Sequence, residues 1–201
     1  MKSSEEIFSS VYTLFRNYGI KSMTMDDIAR HLGMSKKTLY KYVTDKTDLV
    51  QKVFMYVKSS ERFVVPNRNT NVNAIEFFYG IYHKVLQNIK DFNPHLLYDL
   101  KKYYPDIYNK IKEMRKQTVV TIVKGNLEQG ISEGIYRNDI NADIIAEVHH
   151  LKMEALIESN FLNTGRYGLE EIFTELFKYH IYAIVNEKGR EILKQLKFFE
   201  L

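Results

Sequence analysis

Apolar positions recur at helical spacing along most of this chain, and polar punctuation divides them into short helices first and long ones later. Ile7, Val11, Leu14, Phe15 and Tyr18 put one apolar face on a first helix. Thr24 then precedes the stripe Met25, Ile28, Ala29 and Leu32, with Asp27 three positions on as its capping partner. Gly33 follows at once, where a helix end favours a residue that tolerates positive φ. Ser35 caps a helix opening at Lys36, and Asp45 caps another whose inner face is Leu49, Val53 and Val57. The pattern over residues 24–49 is a helix, a tight glycine turn, a short second helix and the start of a third, which is a helix-turn-helix.

The outward face of the second short helix follows from about 100° per residue. With Leu39 inward and Val43 nearly aligned behind it, Lys37 and Lys41 fall almost opposite, one turn apart. Thr38 and Tyr40 lie on the two flanks, and Lys36 sits in the first turn, beside a positive helix end. Such a face suits a major groove, with lysines entering it while Thr38 and Tyr40 bond the backbone. Lys46, opening the following helix, is placed for a further phosphate.

Beyond Tyr56 the helical pattern continues, interrupted by only three prolines, Pro66, Pro94 and Pro105. Helices are predicted near 73–91, 94–103, 105–131, 142–163, 168–187 and 189–199. No strand-like alternation and no glycine-rich phosphate loop interrupts them, so the fold is all-α. A DNA-binding domain over 1–55 and a helical regulatory domain over 56–201 are expected, with the Asn-rich stretch Val64–Val72 read as the break between the domains.

A lysine face alone is usually a solvated surface. Charge distribution argues otherwise here. Residues 1–60 hold 10 basic and 6 acidic side chains, whereas the remaining 19 basic and 19 acidic groups cancel. The whole excess of +4 therefore coincides with the helix-turn-helix, as nucleic-acid binding requires. The chain has no cysteine, which removes disulfides and thiolate chemistry. Acids at Glu5 and Glu6 break any signal-peptide pattern, and no apolar run approaches membrane-spanning length, so a cytoplasmic protein with no membrane partner is expected.

The run Leu14-Phe15-x-x-Tyr18-Gly19, then Met23-Thr24-Met25-x-x-Ile28-Ala29, Gly33 to Val43, Asp45-Lys46 and Leu49 resembles the DNA-binding domain of the TetR family. These are one-component bacterial transcription regulators, and the resemblance covers about residues 5–55. Lys37 stands where the family often has glycine, and Val43 where it often has phenylalanine. Val43 keeps the buried contact; Lys37 adds charge and alters sequence preference rather than docking. Carried over position by position, the resemblance implicates Thr24, Lys36, Lys37, Thr38, Tyr40, Lys41, Tyr42 and Lys46 in DNA contact. On the second helix, only Tyr42 is a residue that geometry alone leaves intermediate.

Two later helices carry wide apolar stripes: Ile144, Ile145, Val148, Leu151, Ala155, Leu156 and Phe161, then Leu169, Ile172, Phe173, Leu176, Phe177, Ile181 and Ile184. Pattern alone allows both to be internal. The resemblance implies instead a homodimer through these helices, near 142–163 and 168–187, reading successive major grooves of an operator about 34–36 Å apart. It also implies a repressor that an unknown small-molecule effector releases from a palindromic double-stranded DNA operator. The expected effector lining is Phe78, Tyr82 and Tyr98, drawn from an aromatic-rich stretch at 77–108. An aromatic stripe of this kind also reads as plain core.

Enzyme chemistry finds no support. No Gly-x-Ser-x-Gly elbow is present. His149, His150 and Glu154 could offer two metal ligands one turn apart, but spacing marks no third. They read as packing or hydrogen-bonding groups, and neither metal nor cofactor is expected. The alternatives are a transcriptional activator, or a helical ligand-binding or interaction protein without specific DNA readout; the intact Lys37, Thr38, Tyr40 and Lys41 face opposes the second.

Overall fold

A computed structural model describes residues 3–59, 72–89, 93–163 and 165–196. Within them the chain forms α1 (Ser4–Tyr18), α2 (Met25–His31), α3 (Lys36–Leu39), α4 (Lys46–Ser59), α5 (Ala74–Ile89), α6 (Pro94–Tyr103), α7 (Pro105–Ser132), α8 (Ala142–Glu158), α9 (Leu169–Ile184) and α10 (Glu187–Gln195). A short 3-10 turn, Asn160–Asn163, follows α8, and one isolated bridge joins Tyr136 to Val185. The predicted helices are all present, with α8 ending sooner than its apolar pattern suggested. The Val64–Val72 break lies outside the described residues except for Val72. No helix among the described residues is long and apolar enough to cross a membrane.

Two compact units share this chain. In the first, Ile7, Val11 and Phe15 of α1 pack with Ile28, Leu39, Val43, Leu49 and Val53. Leu96, Leu100, Ile107 and Tyr108 complete that core, so Asn93–Met114 packs with α1–α4 although it lies far along the sequence. Tyr18 differs from expectation: it ends α1 exposed, its ring 5.8 Å from that of His31.

The second unit is built from α5, the rest of α7, α8, α9 and α10. Phe78, Tyr82, Leu127, Tyr136, Phe173, Phe177 and Ile181 fill its core. Gly130 allows the close approach of helix and Tyr136 ring, because a Cβ there would collide with that ring. The Tyr136 hydroxyl donates to Asn126 Oδ1 (3.1 Å), and Asn126 Nδ2 donates to the Ala74 carbonyl (2.7 Å), so these buried polar groups are satisfied.

The apolar stripes of α8 and α9 separate in use. Those predicted on α9 are core: Ile172, Phe173, Phe177, Ile181 and Ile184 are buried. On α8, Ile144, Val148 and Leu151 are exposed instead, Leu151 to 62%. Exposed Tyr179 and Tyr182 supply the corresponding face of α9. Lys152 Nζ lies 5.3 Å over the Tyr179 ring, which makes the two exposed faces neighbours.

Candidate nucleic-acid interface

The helix-turn-helix is fixed by its ends. Thr24 Oγ1 accepts the Asp27 N–H (3.1 Å), and Asp27 Oδ2 accepts the Thr24 N–H (3.1 Å) and hydroxyl (2.6 Å). These bonds from Thr24 hold the Asp27 carboxyl below its ordinary range. At the other end of α2, Met34 N–H reaches the Ala29 carbonyl (3.0 Å) and Gly33 N–H that of Arg30 (3.1 Å). This double closure needs the left-handed residue that Gly33 supplies, at φ 67°. Ser35 Oγ then accepts the Thr38 N–H (3.1 Å) to open α3.

The α3 helix is one turn long. Past Leu39 the bonding tightens, with Lys41 N–H on the Thr38 carbonyl (3.1 Å) and Tyr42 N–H on that of Leu39 (3.0 Å). Three-residue bonding advances about 120° per residue instead of 100°. Tyr42 is thereby carried round to the inward direction of Leu39 and packs, partly buried, against the core. That is why the angular reading left Tyr42 undecided. Leu39 and Val43 are buried as predicted, and Lys37, Tyr40 and Lys41 are exposed. Two neighbours are already engaged within the unit. Lys36 Nζ pairs with Asp26 (2.8 Å), which raises its pKa, and the Thr38 and Ser35 hydroxyls lie 2.8 Å apart.

The start of α4 is held by Asp45, whose Oδ1 accepts the Asp48 N–H (2.8 Å). Lys52 Nζ binds both Asp48 Oδ2 (2.8 Å) and the Tyr42 carbonyl (2.9 Å), tying α4 to the end of the reading turn. Lys46 is half-buried, and its ammonium approaches the Lys21 carbonyl (3.4 Å); burial pushes its pKa down.

One anchor escaped the sequence reading. Asp99 Oδ2, on α6, accepts the backbone N–H groups of Ile20 (2.9 Å) and Lys21 (3.1 Å), in the turn that leads to Thr24. Lys21 Nζ also donates to the Tyr103 hydroxyl (3.1 Å), and this bond lowers the Tyr103 pKa. With partners 78 and 79 positions away in sequence, no local pattern announces such a contact.

The expected effector residues do not form one cluster. Phe78 and Tyr82 are core residues of the second unit, packed on Phe177 with ring centroids 5.1 Å away in each case. The Tyr82 hydroxyl is 3.0 Å from Thr174 Oγ1. Tyr98 belongs to the first unit, is 57% exposed, and accepts a hydrogen bond from Lys102 Nζ (2.8 Å). It forms no part of the core that holds the other two.

The histidines of α8 also sort themselves. Glu154 is bound by Arg115 through both carboxylate oxygens, at 2.8 Å from Nη2 to each. His149 and His150 are buried beside it in sequence. His149 Nδ1 has no partner, nor has Nε2 of His180 on α9, and the two rings meet edge to face at 4.5 Å. An unsatisfied buried polar group costs about 1–3 kcal/mol, so each orphan works against the fold. No group of three or more His, Asp or Glu side chains among the described residues could hold a metal ion.

A capped helix-turn-helix whose second helix presents lysines and a tyrosine to solvent defines the class of helix-turn-helix DNA-binding proteins. The profile of the tetR family of bacterial regulatory proteins matches residues 7–53. Over 149 residues the chain is 30% identical to an uncharacterized HTH-type transcriptional regulator, YvaF, of Bacillus subtilis, covering 72% of this chain and 76% of that protein. Its fold matches a transcriptional regulator from Cytophaga hutchinsonii with a TM-score of 0.70, at 20% identity over 90% of this chain and 98% of that one. It likewise matches FadR of Bacillus subtilis, solved in complex with stearoyl-CoA, with a TM-score of 0.65, at 16% identity over 87% and 95% of the two chains. The chain belongs to the tetR family of bacterial regulatory proteins and is a DNA-binding transcription regulator.

Proposed function

We propose that this regulator is a homodimeric repressor, working in the cytoplasm, that leaves a palindromic operator when a small molecule binds. Residues 1–55 read DNA in this scheme, and 56–201 pair the subunits and take the effector. The observation that carries the reading is the exposed Lys37, Tyr40 and Lys41 face on a fully capped turn, within the segment that holds all the excess charge. Lys37 and Lys41 enter the major groove and Tyr40 bonds the backbone, with Thr24 and Lys46 on flanking phosphates. Lys36 and Thr38 must first loosen their bonds to Asp26 and Ser35 to reach DNA. Tyr42 acts by packing behind this face.

Dimerisation through α8 and α9 is supported by Ile144, Val148 and Leu151 beside Tyr179 and Tyr182, an apolar surface that a lone subunit leaves in water. A two-fold axis through it pairs this patch with its own copy, each residue that meets a second one being met in return. An acyl-CoA complex of one fold relative supports an effector with an extended apolar part.

The test is selection of bound duplexes from a random DNA pool by purified ligand-free protein at near-physiological salt. Enrichment of an inverted repeat is expected. Salt-sensitive binding to every sequence alike would contradict specific readout, and no binding at all would favour an interaction protein.

A further inference from the structure

The orphan imidazoles lie where α5, α8 and α9 meet. His149 is 8% exposed and His180 5%, and each keeps one ring nitrogen buried and unpartnered. The His180 ring is 5.2 Å from Phe78, which packs on Phe177. Lys152, three residues beyond His149, is half-buried over Tyr179.

The charges around this pair share one sign. His150 and Lys152 of α8 act on His149, and His149 and Lys152 act on His180; α5 contributes aromatic rings and His83, whose Nε2 is also buried without a hydrogen bond. Burial pushes the pKa of His149 down to about 4 and that of His180 well below its usual value, and it lowers Lys152 as well. Of the acids flanking them on α8, Glu147 pairs with Lys116 (3.6 Å) and Glu154 is committed to Arg115. No carboxylate among the described residues pairs with Lys152. Four groups able to carry positive charge, His149, His150, His180 and Lys152, therefore gather without a counter-charge among them, against an apolar wall.

We propose that His149, His180 and Lys152 form the anionic-head subsite for the effector, and that the effector is an acidic molecule with an apolar body. The inference rests on the effector-released regulation proposed above and names the chemistry of that effector. A neutral imidazole can place its N–H on the orphan nitrogen and donate it to an anion, while Lys152 supplies the charge.

The experiment is calorimetric titration of the full chain with decanoate, decyl phosphate and 1-decanol, each also followed by histidine ring 15N shifts. At least one anion should bind about ten-fold more tightly than the alcohol, the size of one charge-assisted hydrogen bond, and shift His149 and His180 resonances. Preference for decanoate or decyl phosphate identifies the head as carboxylate or phosphate. The double variant His149→Phe, His180→Phe keeps ring shape and should retain alcohol binding while losing the anion preference. Lys152→Gln, at a half-exposed position, should lose most of it too.

Equal binding of anion and alcohol overturns the assignment, as does binding of neither, or an anion preference that survives in the double variant. Operator binding by the ligand-free protein is measured in parallel. If it persists while these titrations fail, only this inference falls; its absence would count against the repressor reading instead.

Discussion

In the N-terminal unit α1 to α4 each start at a cap, from Ser3 through Thr24 and Ser35 to Asp45, and Leu39 and Val43 of the reading turn are inside. In the C-terminal unit the arrangement is reversed at one place: imidazoles of His149 and His180 lie inside without partners, while Leu151, Val148 and Tyr179 stand in water. A unit whose first four helices are capped and whose apolar side chains are inside presents a finished surface, and here that surface is cationic. A unit with unpaired polar atoms inside and apolar atoms outside has features that gain from further molecules. That difference is why the DNA is assigned to the first unit and the partner subunit and effector to the second.

Two leucines break or sharpen this contrast most strongly. Leu39 is fully buried, so Leu39→Ala should cost about 2–5 kcal/mol and abolish DNA binding. Leu151→Ala should leave the stability of an isolated subunit within about 0.5 kcal/mol while weakening dimerisation. Urea unfolding together with sedimentation across protein concentration separates the two effects. If Leu151→Ala instead destabilised the subunit as Leu39→Ala does, the exposed face of α8 would be core.

Acid is the next probe, because it acts on the second unit's orphan groups. Burial holds His149 neutral with a pKa of about 4, below its unfolded value of about 6.5, so the unfolded chain binds the extra proton first. Stability is therefore full above pH ~6.5 and declines as pH falls toward 4, by about 3 kcal/mol for this group. His149→Phe should flatten that decline when urea midpoints are compared at pH 7 and 5. An unchanged decline would place the acid sensitivity elsewhere.

A smaller effect is expected from Tyr40→Phe, which removes only a hydroxyl. Operator affinity should fall by about 1 kcal/mol with stability unchanged, as seen by fluorescence titration of labelled duplex. A neutral result would make Tyr40 a packing residue.

The sequence was most informative where function depends on neighbours along the chain. Thr24, Gly33, Ser35 and Asp45 announce their turns by residue type, and the structure seats each as expected. The angular reading placed Lys37 and Lys41 outward, and it left Tyr42 open because α3 tightens after Leu39, a change no residue type signals. The Asp99 anchor was invisible, since its partners are 78 and 79 residues away. On α9 periodicity found the apolar stripe but not its use: spacing identifies a face, and only packing tells core from surface. Tyr98 falls in a different unit from Phe78 and Tyr82 for the same reason, since aromatic content along 77–108 says nothing of which unit each ring joins.

The central claim, that Lys37 and Lys41 bind DNA, is tested most directly by the salt dependence of operator affinity. The duplex enriched from the random pool would be titrated with the native protein and with the Lys37→Ala, Lys41→Ala variant at several salt concentrations. Each phosphate charge a lysine neutralises releases counterions and contributes about 0.9 to the logarithmic slope, so the variant's slope should be shallower by roughly 2 per subunit if both ammonium groups sit against the DNA backbone charge. A parallel line, of equal slope and affinity, would remove these lysines from the interface and with them the reading of this face.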